Sequence, residues 1–274
     1  SGIKMTDTQD LQPHTEGIQL HEVGVRNLKT ILLINRDKKE FRLFPTVEIA
    51  IDLPGDLKGV HMSRLVESMT SVLSDESTKH SSVESMSTKV LFELSKKHPF
   101  SKAHMTLKFD FVVERETPAS RKRTFEVYPI VVKTTRYNPS FEGEEIISHE
   151  VSVSSKGNTV CPHAMIKNEG KTHIQRAIGI LTVKGRIEEL PEFEAMVEVL
   201  EESFSSPTFT LLKSSDESFL VQRMFENPLF CEDVTRNILA TAKERFSKHI
   251  EIKAEVESQE SIHKHDVFSR GGWA

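Results

Sequence analysis

The spacing of apolar residues predicts strands and helices in a regular order through the first half of the chain. Val47, Ile49 and Ile51 alternate with polar residues, which is typical of a half-buried strand. Leu65 and Met69 are four residues apart within an apolar stripe, which indicates one face of a helix. Extended over this half, the pattern predicts strands at residues 29–35 and 40–53, helices at 62–74 and from Ser82 onward, and strands at 105–111 and 125–131.

The second half of the chain repeats this order of elements. It predicts strands at residues 146–153 and 176–186, a helix opened by Pro191, a helix opened by Asn227 and Pro228, a strand at 250–256 and a short strand after His265. Each half therefore follows the order strand, strand, helix, helix, strand, strand, although no residue-by-residue identity joins the halves. Two copies of one α+β unit are the simplest architecture for such a chain.

The domain boundaries follow from this repeat. We expect a flexible polar arm over residues 1–22, a first unit over residues 23–140 and a second unit over residues 141–274, with the division near residues 139–143. The second unit contains most of the clusters that could carry chemistry.

Composition and charge exclude several classes of protein. The chain has 274 residues and a net charge of −5, which argues against general nucleic-acid binding. No apolar run approaches the length of a membrane helix. With 2 cysteines, the chain is no disulfide scaffold, and a reducing, cytoplasmic setting is favoured. The 12 histidines direct attention to metal binding and proton transfer.

A cysteine and two histidines form the first candidate cluster. Cys161 and His163 are two residues apart, so on an extended segment their side chains would face one way. His173 lies just before a predicted strand. A thiolate and imidazoles suit a borderline-soft divalent ion such as zinc or ferrous iron. A buried free cysteine with surface histidines nearby would explain the same pattern.

A second cluster holds two histidines with acidic neighbours. His263 and His265 are two residues apart in a predicted strand and would face one way. Glu260 and Asp266 flank them, an arrangement that suits imidazoles used for proton transfer. A polar strand edge would have the same pattern.

Three helix starts carry further charged groups. Glu217 and Glu232 each lie in a predicted first turn, where the helix dipole favours any carboxylate, so an ordinary helix start also explains them. The segment at residues 58–64 opens the first helix with a glycine, two cations, a histidine and a hydroxyl. Such a segment predicts an anion site, and a capped helix start with solvated charges fits it equally well.

Six segments, taken together and in order, resemble the type IB GTP cyclohydrolases, including the archaeal enzymes of methanopterin biosynthesis. They are KGVHMSR at residues 58–64, CPHA at 161–164, THIQRAIG at 172–179, LLKSSDE at 211–217, ENPLFCED at 226–233 and ESIHKHDVF at 260–268. THIQRAIG and SIHKHDVF are closer to the archaeal branch. The short gap between Cys161 and His173 is closer to the bacterial folate branch, so both branches stay open.

The resemblance implies a fold, an assembly and a reaction. The fold is the α+β tunnelling fold (T-fold), in which tandem ββααββ units place helices on one side of antiparallel sheets. The assembly is a homotetramer with active sites near subunit interfaces. The reaction opens the imidazole ring of GTP at C8, releases formate and forms a 7,8-dihydropterin. The product is a 2′,3′-cyclic phosphate in the archaeal branch and a triphosphate in the bacterial branch.

The resemblance also implies a metal site and a set of catalytic residues. It implies one divalent ion per active site, ferrous iron in the archaeal branch, with zinc or manganese as alternatives. The family's metal ligands match Cys161, His173 and Glu217. Its proton-transfer histidines match His263 and His265.

Substrate contacts follow from the same resemblance. The carboxylate that anchors the purine matches Glu232. Candidates for contacts to the ribose or the phosphates are His61, Ser63, Arg64 and Arg176.

Two departures from the family pattern keep other functions open. His163 stands where the family has a second cysteine, and could coordinate a metal or move protons as a further catalytic residue. Ile174 replaces a polar asparagine. The alternatives are another T-fold enzyme of purine or pterin chemistry and a catalytically silent binding homologue.

Overall fold

The computed structural model describes residues 7–75, 79–138 and 144–273. The predicted division at residues 139–143 lies outside this part of the chain. The strands are β1 (Leu20–Lys29), β2 (Leu32–Arg36), β3 (Lys39–Leu43), β4 (Thr46–Leu53), β5 (Lys102–Glu116), β6 (Arg123–Tyr137), β7 (Ile146–Val160), β8 (Ile174–Gly185), β9 (Ser206–Pro207), β10 (Glu251–Ser258) and β11 (Val267–Trp273). The helices are α1 (Met62–Leu73), α2 (Val83–Lys97), α3 (Pro162–Lys167), α4 (Phe193–Ser203), α5 (Ser214–Glu226) and α6 (Cys231–Arg245).

The chain forms two compact units. The first comprises residues up to Phe109 together with Val131–His149, and the second comprises Asp110–Ile130 together with Glu150–Ala274. The long strands β5 and β6 therefore contribute to both units. No helix within the described residues combines the length and the apolar character that crossing a membrane requires.

The first unit is an antiparallel sheet covered by a helix pair. β4 pairs with β1 on one side and with β5 on the other, and α1 packs against α2. The helices predicted at 62–74 and from Ser82 are confirmed. α2 begins as expected because the Ser82 hydroxyl accepts a hydrogen bond from the Ser85 N–H at 3.0 Å. The core contains the fully buried Ile49, Leu65 and Met105.

The segment before β1 is bonded to a loop of the first unit. The Lys58 N–H donates to the Leu11 carbonyl at 2.9 Å, and the Gly17 N–H donates to the Gly55 carbonyl at 3.0 Å. The described part of the segment predicted as an arm is thus held by backbone hydrogen bonds. This pairing brings Asp10 beside His61, at the start of α1.

The second unit has strand order β7–β8–β10–β11, with α4 and α6 packed together. Its core includes Leu200, Phe204 and Ile238. Gly157 permits close packing here, since a Cβ at this position would lie 2.2 Å from the Phe204 ring. The predicted strands at 146–153, 176–186 and 250–256, and the short strand after His265, lie within or largely overlap β7, β8, β10 and β11.

Both helices predicted in the second half are present, but their predicted starts were wrong. α6 begins at Cys231, and Asn227 instead ends the additional helix α5. The Asn227 side chain is engaged elsewhere, because it donates to the Phe204 carbonyl at 3.3 Å. α4 begins at Phe193, two residues after the expected start at Pro191. In the first half, the strand predicted at 29–35 corresponds to β2, and the strand predicted at 40–53 is divided into β3 and β4, whereas β1 was not predicted.

Acidic pH should lower the folding stability of the first unit by protonating the Asp52 carboxylate. Burial alone would raise the pKa of Asp52, but donation from the N–H groups of Lys102 and Ser101, both at 2.9 Å, and from the Ser101 hydroxyl lowers it overall. Because the folded pKa lies below the unfolded one, this contribution is complete above the ordinary aspartate range and is lost as the pH falls through the folded pKa.

Asp52→Asn should therefore reduce the fall in the free energy of unfolding at acidic pH, measured by urea unfolding over a pH series. Asp56→Asn, on an exposed side chain, is the control and should keep the wild-type slope. Identical slopes for Asp52→Asn and the wild type would contradict the assignment.

Candidate active site

A cavity of about 270 Å³ in the second unit collects side chains that can carry chemistry. They come from the end of β7, the start of β8, the first turn of α6 and the loop between β10 and β11. These side chains are Cys161, His173, Glu232, Glu260, His263 and His265. Most of them lie outside regular strands, at positions where the strand ends and helix start of this unit converge.

Cys161 directly follows β7 and is held by the segment that leads to β8. Its backbone N–H donates to the His173 carbonyl at 3.3 Å, and the Thr172 hydroxyl donates to its carbonyl at 2.6 Å. The Cys161 Sγ accepts from the Ala164 N–H at 3.4 Å at the start of α3. These bonds close the segment between Cys161 and His173, which brings a thiol and an imidazole to one cavity wall.

His173 is held through one ring nitrogen. Its Nδ1 lies 2.7 Å from the Gln175 Oε1, and the Glu260 Oε2 is 3.9 Å from the same nitrogen. Cys161 and His173 together offer a soft thiolate and an imidazole, the donor types that suit zinc or ferrous iron. Their chemistry therefore fits the metal ion that the family resemblance implies.

Glu232 reaches the cavity from the first turn of α6. The helix start is fixed by the neighbouring Asp233, whose Oδ2 accepts from the Phe230 N–H at 2.9 Å. The Glu232 carboxylate itself is exposed and appears in no hydrogen bond among those of the described residues. It is thus an available acceptor for a ligand with N–H groups.

His263 and His265 lie in the loop after β10, so the prediction that they sit in a strand was wrong. Their rings nevertheless stack, with centroids 4.7 Å apart and planes inclined by 19°. The backbone N–H of His263 donates to the Glu260 carbonyl at 3.2 Å, which closes a turn. The two imidazoles are therefore held together at the mouth of the cavity, where both are exposed.

The sequence analysis did not identify Cys231, which also lines this cavity. The Cys231 thiol is buried and donates to the Val256 carbonyl at 3.2 Å, and it lies 3.4 Å from the Ser269 hydroxyl. Burial raises the pKa of Cys231, as do the charges of Glu232 and Glu260. The thiol form is therefore favoured, and Cys231 packs as a neutral side chain beneath the site.

Three predicted site residues of the second unit lie outside this cavity. Glu217 is exposed on α5, and its donor atoms do not join Cys161 and His173 in a cluster within 4.8 Å. The extended geometry assumed for Cys161 and His163 was wrong, because residues Pro162–Lys167 are helical and His163 is exposed. Arg176 lines a separate cavity of about 340 Å³. The functional roles of all three residues stay predictions.

The remaining predicted residues belong to the first unit. The His61 Nε2 lies 3.0 Å from the Asp10 Oδ1, and Arg64 donates to the Lys97 carbonyl at 3.1 Å. Ser63 is exposed. Among the described residues, Asp7, Asp10 and His61 form the one group of three potential ligands whose donor atoms all lie within 4.8 Å. This group is a second place that could hold a cation.

The fold places the chain in a known structural class. It is similar to the crystal structure of a uricase from Bacillus fastidious, with a TM-score of 0.55 and 10% identity, covering 93% of this chain and 92% of that one. The uricase from Arthrobacter globiformis has a TM-score of 0.53 at 10% identity and covers 92% of both chains. At such low identities the likeness establishes the uricase-like T-fold alone.

Sequence comparison then gives the family. Residues 5–269 match the family described as type I GTP cyclohydrolase folE2. The chain is 45% identical to the GTP cyclohydrolase MptA of Pyrococcus abyssi, over 98% of this chain and 99% of the relative. It is 31% identical to the GTP cyclohydrolase FolE2 of Thermosipho africanus, over 97% and 96%. The chain belongs to the type I GTP cyclohydrolase family and is an enzyme of that class.

Proposed function

We propose that the enzyme hydrolyses the guanine of GTP at C8 in a metal-dependent reaction, releases formate and forms a 7,8-dihydropterin as the first step of pterin biosynthesis. The observation that carries this proposal is that one cavity brings together Cys161, His173, Glu232, His263 and His265. Such a site combines soft metal donors, a carboxylate acceptor and paired imidazoles, which are the groups that ring hydrolysis requires.

Cys161 and His173 would hold the divalent ion, with Glu217 as the third ligand. Ferrous iron is the proposed ion, and zinc and manganese are the alternatives to test. When bound, the ion would act as a Lewis acid and lower the pKa of a water bound to it towards neutral pH. The hydrogen bonds that close the segment from Cys161 to His173 preorganise the two donors and favour binding.

Glu232 would orient the base. The guanine edge presents an N1–H and an exocyclic amino group, and a carboxylate accepts from both. The first turn of α6 is a rigid place for this carboxylate because Asp233 caps the helix. This contact would hold C8 at a constant position relative to the other cavity groups.

His263 and His265 would transfer protons. Hydrolysis adds one water at C8 for each of the two C–N bonds that break there, and each departing ring nitrogen needs a proton. The stacked pair offers one imidazole to donate while the other accepts. His163 remains a further candidate for this role, placed at the start of α3.

The ribose and the phosphates would be bound by basic and hydroxyl groups outside the cavity. We propose His61, Ser63, Arg64 and Arg176 for the ribose and phosphates. The relatives named MptA, together with the THIQRAIG and SIHKHDVF segments, favour the 2′,3′-cyclic phosphate as product over the triphosphate.

A homotetramer would complete the site. Glu217 lies apart from the cavity of its own chain, and it shares its helix face with Val221 and Phe225, which are 50% and 39% exposed. An apolar helix face beside a proposed ligand suits burial against another subunit. The proposed active site is therefore near a subunit interface, with the tandem ββααββ units of the T-fold arranged around it.

Glu232→Gln should raise the KM for GTP and lower kcat/KM by about 100-fold, because the amide can no longer accept two charge-assisted hydrogen bonds. Steady-state kinetics with metal-loaded protein would measure this effect. Glu244→Gln, on an exposed carboxylate at the far end of α6, is the matched control and should leave KM unchanged. Loss of metal with an unaltered KM would instead make Glu232 a metal ligand.

The product separates the two branches of the family. A fluorescent pterin assay after oxidation, with and without a phosphomonoesterase, would identify it. Retention of the phosphate under phosphomonoesterase treatment supports the cyclic phosphate. Complete conversion to the free pterin supports the triphosphate and overturns the archaeal assignment.

A further inference from the structure

Three buried polar side chains form a hydrogen-bonded chain at the cavity, and two of them, Thr159 and Gln175, line it. The Gln175 Nε2 donates to the Thr159 carbonyl at 3.3 Å and to the Thr159 hydroxyl at 2.9 Å. The Thr159 hydroxyl lies 2.8 Å from the Ser258 hydroxyl. Gln175 is 6% exposed, Thr159 1% and Ser258 0%. Since buried polar groups are costly without partners, these hydrogen bonds stabilise the arrangement of the three side chains.

The partners of Gln175 fix which way its amide points. A backbone carbonyl oxygen can only accept a hydrogen bond, so the group facing the Thr159 carbonyl must be the amide nitrogen. The Gln175 Oε1 must then be the atom 2.7 Å from the His173 Nδ1. A carboxamide oxygen has no proton to donate, so the His173 Nδ1 carries the proton of this bond.

We propose that Gln175 is a positioning residue that sets the tautomer of His173, so that the lone pair of the neutral ring is on Nε2. This inference rests on the proposed function in one respect, since it makes Nε2 the nitrogen that would bind the divalent ion. A ligand histidine whose other nitrogen donates to a fixed acceptor is held in one orientation, and losing such a partner costs about 10- to 100-fold in metal affinity.

The same hydrogen-bonded chain also aligns the walls of the cavity. Thr159, Gln175 and Ser258 each lie two residues from a cavity group, namely Cys161, His173 and Glu260. Each of the three cavity groups lies within two residues of the end of its strand, so hydrogen bonds between the neighbouring strand positions fix the strand ends from which these groups extend. Gln175 therefore couples the thiol, the imidazole and the carboxylate of the site.

Glu260 is the competing partner for His173. Its Oε2 lies 3.9 Å from Nδ1, which is beyond hydrogen-bonding distance, whereas Gln175 is at 2.7 Å. If Glu260 were the true partner, removal of its carboxylate would change the tautomer and removal of Gln175 would not. The two variants Gln175→Leu and Glu260→Gln therefore separate the assignments.

The tautomer can be measured without metal or GTP. Ring ¹⁵N NMR shifts of metal-free protein, above the ordinary imidazole pKa, distinguish the two neutral forms, and His173→Asn identifies the His173 signals. We expect the Nδ1–H form in the wild type and in Glu260→Gln, and a shift towards Nε2–H in Gln175→Leu. An Nε2–H wild type, or an unchanged tautomer in Gln175→Leu, would overturn the proposal.

Metal affinity gives the second readout. Titration with zinc and with anaerobic ferrous iron should show about 10- to 100-fold weaker binding for Gln175→Leu. The loss should be smaller for Gln175→Glu, which keeps an acceptor for Nδ1–H but loses the amide that donates to the Thr159 carbonyl. Thr182→Val is the matched control, since it breaks a similar hydroxyl pair between β8 and β7, in which Thr182 lies 2.8 Å from Ser152. Equal losses in Gln175→Leu and Thr182→Val would reduce Gln175 to a structural role.

The two readouts distinguish failure of this inference from failure of the proposed function. The expected tautomers with no metal binding in the wild type would contradict the metal-dependent reaction and leave the tautomer assignment intact. Normal metal-dependent formate release by a wild type with His173 in the Nε2–H form would contradict the tautomer assignment and leave the proposed reaction intact. If Gln175→Leu fails to fold, Thr159→Val, which removes one of the two acceptors of the Gln175 amide, should give a smaller shift in the same direction.

Discussion

Cys161→Ser should reduce formate release from GTP to the level of the metal-free enzyme. The serine hydroxyl is a much poorer ligand than a thiolate for a borderline-soft ion. Loss of an outer partner of a ligand already costs about 10- to 100-fold in metal affinity, so loss of the ligand itself should cost more. Metal content by elemental analysis and formate release, both after reconstitution, measure the effect.

Cys231→Ser is the matched control for that prediction, because the second cysteine lines the same cavity. A serine there can still donate to the Val256 carbonyl, so metal content and most activity should survive. Retained metal in Cys161→Ser together with lost metal in Cys231→Ser would exchange the roles of the two cysteines.

Replacing either member of the stacked histidine pair should lower kcat by about 10²- to 10⁴-fold, the usual contribution of a positioned acid or base. We expect His263→Gln and His265→Gln to retain wild-type metal content, since neither residue is a proposed ligand. Because the rings lie 4.7 Å apart and would act as one unit, the double variant should lose little more than the worse single variant.

His249→Gln, on an exposed histidine of the same unit, is the control for general effects of removing an imidazole. It should leave kcat unchanged under the same assay. Additive losses in the double variant would mean that the two histidines act in separate steps. Loss of metal in either single variant would place that histidine in the metal site.

The elements with strong periodicity could be predicted from the sequence alone. The stripe on α1 and the alternation in β10 are local patterns, and each matches the burial in the fold. Asn227 could not be assigned in this way, because its side chain donates to the Phe204 carbonyl and does not cap α6. The choice between starting and ending a helix there depends on a tertiary contact.

The candidate site was predictable where its residues are chemically distinctive. Cys161, His173 and Glu232 could be named from residue type and motif, and the cavity contains all three. Gln175 and Thr159 could not be named as a pair, because neither residue type is unusual and their bond depends on strand pairing. The stacking of His263 on His265 also depends on a loop that has no periodic pattern.

The most direct test follows the C8 carbon of the substrate. GTP labelled with ¹³C at C8 would be incubated with enzyme reconstituted anaerobically with ferrous iron, zinc or manganese, and the label would be followed by NMR. The proposed reaction predicts one labelled formate for each GTP consumed, dependent on the added metal and absent in Cys161→Ser. Consumption of GTP with the label retained in the product, or no formate with any of the three metals, would contradict it.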